Sequence, residues 1–293
     1  MNGARERCQA PLESELTPRV PGTIRVAAII PARMASTRLL GKPLRQIRGL
    51  PMVEHVRRRA LLCRGFSEVI VATCDRQIQE AIEGLGGRVI MTSASHPAAT
   101  DRVAEAARQL ECTHVVNVQG DEILVLPEEL ERLVRAIEAE PMTPAWNALG
   151  PIEHVEELAD RTAVKCAVSE SGRVLFCSRD VSRVPRGEDG GFEPFRRVLG
   201  ILGYRRDVLQ RYGELSRTPL ERAEEIDQSR IIEHDITLQG VAFAKGYPGI
   251  NDLREVELVE RYLEEDPAQR AVLERIVHSS LFVVHSKLTA IEQ

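Results

Sequence analysis

The sequence predicts an α/β fold built on a mostly parallel sheet with helices on both faces. Short apolar runs rich in β-branched residues recur from residue 25: V-A-A-I-I (26–30), V-I-V-A-T (69–73), R-V-I-M (88–91) and H-V-V-N-V (114–118). Helix-length stretches lie between and after them, near 52–63, 76–85, 101–110 and 127–139. Alternation at this spacing implies βαβ units with right-handed crossovers. The 293 residues, 43% hydrophobic, suffice for one large domain or a domain with an inserted lobe.

Taken in order, residues 1–23 mix charge, Pro and Gly without periodicity and read as a flexible leader. The first strand empties at Pro31 into a loop of small residues with three cations, Arg33, Arg38 and Lys42, and Gly41. The fourth strand empties into Gln119-Gly120-Asp121. Ligands of such sheets bind beyond the carboxyl ends of the strands, so both loops are expected on one crevice. After about residue 145 the segments shorten: 163–168, 174–177 and 199–204, interrupted by a polar, Gly-rich stretch from Pro185 to Gly191. Residues of roughly 145–215 read as a smaller lobe that closes over a second substrate and carries a dimer surface. A helix over 219–233, a strand near 241–245 and a helix over 252–264 return to the main layer. The main domain therefore spans 24–265. The tail, 266–293, holds the short apolar run L-F-V-V (281–284), expected to pack on the body or on a partner subunit.

Composition narrows the function. A net charge of −5 argues against a general nucleic-acid binder, and Arg57-Arg58-Arg59 reads as a solvated helix face. Six cysteines lie scattered without a C-x-x-C pair, which favours reduced thiols in a cytoplasmic protein over a zinc site or disulfide scaffold. No apolar run reaches membrane-spanning length, and no signal-peptide pattern opens the chain. Thirty-five arginines stand against four lysines, so a lysine that persists in this background, such as Lys42 or Lys165, is a candidate for chemistry.

The cationic loop brings positive charge and backbone N–H groups to where a polyphosphate would sit. It has neither P-loop nor G-x-G-x-x-G spacing. P-A-R-M-A-S-T-R-L-L-G-K-P-L (31–44) instead resembles the signature loop of the 3-deoxy-manno-octulosonate cytidylyltransferases. The resemblance runs over about 25–264 and is densest up to Asp121. It implies a Rossmann-like nucleotidyltransferase fold and a homodimer. It also implies transfer of CMP from CTP to an acidic sugar, releasing pyrophosphate, with Mg²⁺ as cofactor and neither nucleic acid nor membrane as partner.

The same resemblance implies roles. Ala32, Arg33, Arg38 and Lys42 would hold the nucleotide, with Arg33, Lys42 and Asp121 as the catalytic set. V-N-V-Q-G-D-E (116–122) matches the family's metal-bearing segment, making Asp121 a ligand and Gln119 a nucleotide contact. M-T-S-A-S-H-P-A-A-T-D-R (91–102) matches the base-recognition segment and brings in His96 and Thr100, although Ala98 and Ala99 replace the usual Ser and Gly. Lys165, Arg179, Arg205 and Glu221 fall in acceptor-side segments.

Three departures cluster beyond residue 190. Val198 stands where the family carries a histidine, Arg222-Ala223 replace His-Ile, and G-I-N-D-L-R-E (249–255) replaces G-V-D-T-P-E-D. Asn251 thus occupies the second metal position without a charge. Asp252 either takes over that role or caps the following helix, the latter being favoured. A different acidic acceptor, or a catalytically weak CTP-binding homologue, are the competing readings.

Overall fold

A computed structural model describes residues 22–35, 39, 41–184, 191–250 and 252–278. The cationic loop's Arg38, the metal-position candidate Asn251 and the 281–284 run lie outside the described residues.

Strand β1 (Val26–Ala32) is buried along its whole length and runs parallel to β4 (Phe66–Thr73) and β6 (His114–Val118) on its two sides. Such two-sided burial is what a continuous apolar run encodes. β5 (Arg88–Met91) extends the parallel set beyond β4. On the other side, β10 (Phe195–Arg205) runs antiparallel between β6 and β7 (Ala145–Gly150), and β11 (Leu238–Ala242) closes that edge parallel to β7. The order is β11-β7-β10-β6-β1-β4-β5. A small hairpin of β2 (Gln46–Ile47) and β3 (Leu50–Pro51) stands apart.

Helices cover both faces, as the pattern predicts. One face packs α1 (Met52–Leu61), α2 (Arg76–Gly84) and α4 (Pro127–Ala139) through Val53, Val56, Ile78, Ile82, Leu130 and Leu133. The opposite face packs α3 (Ala99–Ala107) and α5 (Arg206–Tyr212) through Val103, Ala106, Val208 and Leu209. Among the described residues no helix is long and apolar enough to cross a membrane.

The second half departs from expectation in four places. The predicted 219–233 helix is two, α6 (Pro219–Glu224) and α7 (Asp227–Glu233), because Glu225 turns left-handed at φ 54° between them. The strand expected near 241–245 lies at 238–242. The lobe is narrower than 145–215: β7 and the latter half of β10 are main-sheet strands. What projects is the hairpin of β8 (Lys165–Val168) and β9 (Val174–Ser178), paired to residues 195–197 of β10 around Ile152, Leu158, Val181 and Phe195. Finally, the tail contributes a helix. Beyond α8 (Leu253–Glu265), α9 (Pro267–His278) packs Val272 and Ile276 against Leu50.

The Arg57-Arg58-Arg59 triplet is not a solvated face. All three are buried, Arg57 and Arg58 sharing Glu54 with Nε–O distances of 2.6 Å each.

Candidate active site

Two clefts open side by side at the carboxyl edge of the sheet and share Gln119 and Asp121. The first, about 320 Å³, is lined by Ala32, Arg33, Lys42, Ala98, Ala99 and Arg102 besides the shared pair. The second, about 290 Å³, takes in Thr100, Glu122, Arg179, Arg197, Val198 and Asp227. The two loops predicted to converge therefore do.

The local chain explains how. The β1 and β6 ends approach so closely that a Cβ at Gly120 would sit 3.0 Å from the Pro31 carbonyl oxygen. Asp75, at the start of α2, accepts from the Met34 N–H at 2.8 Å and so holds the loop leaving β1. Lys42 opens the single turn 42–44, and its Nζ lies 2.8 Å from Asp121 Oδ2. The Ile250 N–H donates to the Asp121 carbonyl at 3.3 Å, bringing the 247–250 segment to the same point. Beside Asp121, the Glu122 carboxyl accepts from the Gly200 N–H at 2.6 Å. Burial, reinforced by the Asp121 carboxylate, pushes Glu122 up to about 7.

Several residues expected at the site do other work. His96 turns onto the Glu105 carboxylate and does not line the described clefts. Thr100 faces the second cleft and donates to Asp227 Oδ2 at 3.0 Å. Lys165 is fully buried, and its three donors go to the carbonyls of Asp160 (2.6 Å), Ala163 (2.9 Å) and Arg179 (2.5 Å). It pins the lobe's loops and has no donor left for a substrate. Arg179 lines the cleft, but its guanidinium is engaged by the carbonyls of Glu224, Arg161 and Glu225.

Arg205 is a correction. It ends β10 opposite His114, the first residue of β6, at the far edge of the sheet, where it pairs with Asp207. Glu221 is another: 1% exposed, it closes a capping box at Thr218 and accepts Arg230 Nε at 2.8 Å. Asp252 caps α8, its Oδ1 accepting the Arg254 N–H at 2.8 Å and the Glu255 N–H at 3.2 Å. Of the two roles expected for Asp252, the helix cap is the one its side chain fills.

Sequence reasoning missed Asp227 and Gln228. They follow the Glu225 break, and an unbroken helical period hid the turn that aims them at the cleft. Burial raises the Asp227 carboxyl above its ordinary value. Arg197 was also missed, although it immediately precedes Val198 and lines the same cleft.

The cytidylyltransferase family profile matches residues 27–239, which carry most of the sheet, the whole first cleft and all of the second but Tyr247 and Gly249. The chain belongs to the cytidylyltransferase family. This cytidylyltransferase is 41% identical over 239 residues to the 3-deoxy-manno-octulosonate cytidylyltransferase of Myxococcus xanthus, covering 80% of the chain and 95% of the relative. It is 36% identical to an 8-amino-3,8-dideoxy-manno-octulosonate cytidylyltransferase of Shewanella piezotolerans, covering 82% and 99%. Among solved structures, a CMP:2-keto-3-deoxy-manno-octonic acid synthetase complexed with CTP superposes with a TM-score of 0.77 at 34% identity, covering 82% of this chain and 98% of that one.

Proposed function

We propose that this cytidylyltransferase transfers CMP from CTP to an eight-carbon acidic keto sugar of the 3-deoxy-manno-octulosonate type and releases pyrophosphate. The observation that carries the reading is the pair of clefts joined at Gln119 and Asp121: one cationic, for a triphosphate, and one walled by polar groups, for the acceptor. Nucleotidyl transfer needs little covalent help from protein, so placing two ligands against one charged point is the greater part of catalysis.

In this reading Arg33 and Lys42 meet the triphosphate, Arg as a fork and Lys as a point charge. Backbone around Ala98 and Ala99 faces the nucleotide in the same cleft. Asp227, Gln228 and Arg197 meet the acceptor's hydroxyls and carboxylate. The acceptor oxygen attacks the α-phosphorus, and the bond to the β-phosphate oxygen breaks.

Among the described residues no group of three or more His, Cys, Asp or Glu is arranged for a metal. One protein carboxylate plus substrate phosphates is nonetheless a usual Mg²⁺ environment. Asp121 fits it: its carboxylate stands where the two clefts join, partly open to solvent, with the Lys42 ammonium 2.8 Å from Oδ2. Asp121 would hold Mg²⁺, with Asn251 proposed as a neutral neighbour. Mg²⁺ would supply neutralisation of charge on the transferred phosphate.

The 8-amino sugar is the second reading, favoured by the Shewanella relative. Pyrophosphate release with CTP and Mg²⁺ should appear with one of these two sugars and not with unrelated sugar acids. Turnover of neither, alongside turnover of another acid, would overturn the acceptor assignment. The proposal extends to a cytoplasmic homodimer, as the family resemblance implies, and sedimentation tests the dimer.

A further inference from the structure

The triplet on α1 leads from the clefts into the interior. Arg59 is fully enclosed, and its Nη1 donates to the Val125 carbonyl at 3.1 Å. Its Nε and Nη2 have no partner among the described residues. Gln269, from α9, is likewise fully buried and donates Nε2 to the Leu124 carbonyl at 2.7 Å. Two successive carbonyls of one loop are thus gripped by side chains from two different helices. That loop, 119–126, carries Gln119, Asp121 and Glu122.

The grip extends further. Arg58 Nη1 donates to the Ile276 carbonyl at 2.6 Å, tying the far end of α9 to α1. Asp266 accepts the Tyr247 hydroxyl at 2.9 Å on one oxygen, while the other caps α9 at the Ala268 and Gln269 amides. Tyr247 lines the second cleft and begins the segment whose Ile250 N–H donates to the Asp121 carbonyl. Three attachments to the Asp121 loop therefore run back to α1, to α9 and to the 247–250 segment. If volume were all that mattered, an apolar side chain would fill the Arg59 site at lower desolvation cost. A guanidinium kept there with one carbonyl partner points to a positional demand.

We propose that Arg59 and Gln269 are positioning residues for the transfer reaction. They form a buried strut, braced by α9, that fixes the loop bearing Asp121. The proposal rests on the reading of Asp121 as metal-bearing, but its first test does not. Gln269→Met keeps the volume and removes the donor. In the ligand-free protein, amide exchange across 122–126 should quicken about fivefold, the worth of one hydrogen bond. α1 and the sheet should keep their protection. In turnover, the Mg²⁺ concentration for half-activation should rise by a similar factor, with the KM for CTP changing less. Gln269→Glu keeps the side chain's size and polarity and, ionised, removes donation to Leu124; it should loosen the same amides. A lowered melting temperature with unchanged exchange at 122–126 would make the contact packing alone and overturn the strut. Faster exchange with an unaltered Mg²⁺ requirement would overturn its link to catalysis. If no substrate is turned over, the exchange result still decides the strut, and the assigned reaction is what has failed.

Discussion

Lys42 and Asp121 stand at the junction of the two clefts, with side chains 14% and 29% exposed. A pair this open contributes little to stability. On the proposed function its weight lies in chemistry: Lys42→Ala would remove a cation from the triphosphate and leave Asp121 without its partner. We expect kcat/KM for CTP to fall about 10²–10³-fold, the range for losing one charged stabilising contact, with melting temperature nearly unchanged. A large melting shift with intact turnover would mean the pair is structural. Glu221 is the opposite kind of acid. Burial alone would raise its carboxyl, yet the Arg230 hydrogen bonds and charge hold it below its ordinary value. A depressed carboxylate contributes stability that is full above the unfolded pKa of about 4.5 and is lost as pH falls through the folded one. Glu221→Gln should therefore cost about 3 kcal/mol at pH 7, where Arg230 loses its carboxylate partner, and the gap from the parent should close in acid denaturation below pH about 4.5. Residue placements at the clefts were legible where a whole motif named them, as for Lys42. They were illegible at Lys165, since an ammonium that holds three carbonyls reads, letter by letter, like one waiting for an anion.

At the scale of elements, the first four strands and their helices were plain in the sequence because parallel strands buried on both faces leave continuous apolar runs. β10 was not: it is long, antiparallel, and belongs to the main sheet at one end and the lobe at the other. The break at Glu225 was also hidden, since a left-handed glutamate carries no turn signature. β10 meets the β6 loop through both backbone groups of one residue, Gly200. The Gln119 N–H donates to the Gly200 carbonyl at 2.8 Å, and the Gly200 N–H donates to Glu122. A Cβ on Gly200 would lie 2.7 Å from Glu122 Oε1 and 2.9 Å from Gln119 Cγ. Gly200→Ala must push these side chains apart. Overpacking of this kind costs about 1–3 kcal/mol, and the displacement falls on the wall between the clefts. The KM for the acceptor should rise about tenfold or more through such misplacement, with nucleotide binding affected less. Unchanged acceptor kinetics would show that the β6–β10 junction does not define the second cleft.

Taken whole, the molecule places both clefts along one edge of a single sheet, with charges of both signs drawn inward from a chain of net charge −5. That convergence was foreseeable from strand order alone, because the carboxyl ends of parallel strands face the same way. The contribution of α9 was not foreseeable, because Val272 and Ile276 find their apolar partner, Leu50, more than two hundred residues earlier in the sequence. The cleft proposed for the triphosphate lies between β1, α3 and β6, elements distant in the chain, so nucleotide bound there should stabilise the fold as a unit. A ligand at one hundred times its dissociation constant adds about 2.7 kcal/mol to the folded state. For a domain of this size that amounts to a rise of about 5–10 °C in melting temperature. CTP with Mg²⁺ should produce it, while UTP, ATP and GTP at the same concentrations should produce markedly less. Equal shifts with all four nucleotides would sink the cytidine preference while leaving the triphosphate clamp in place. A shift with CTP that is insensitive to Mg²⁺ would remove the metal from the binding step and confine it, if anywhere, to transfer.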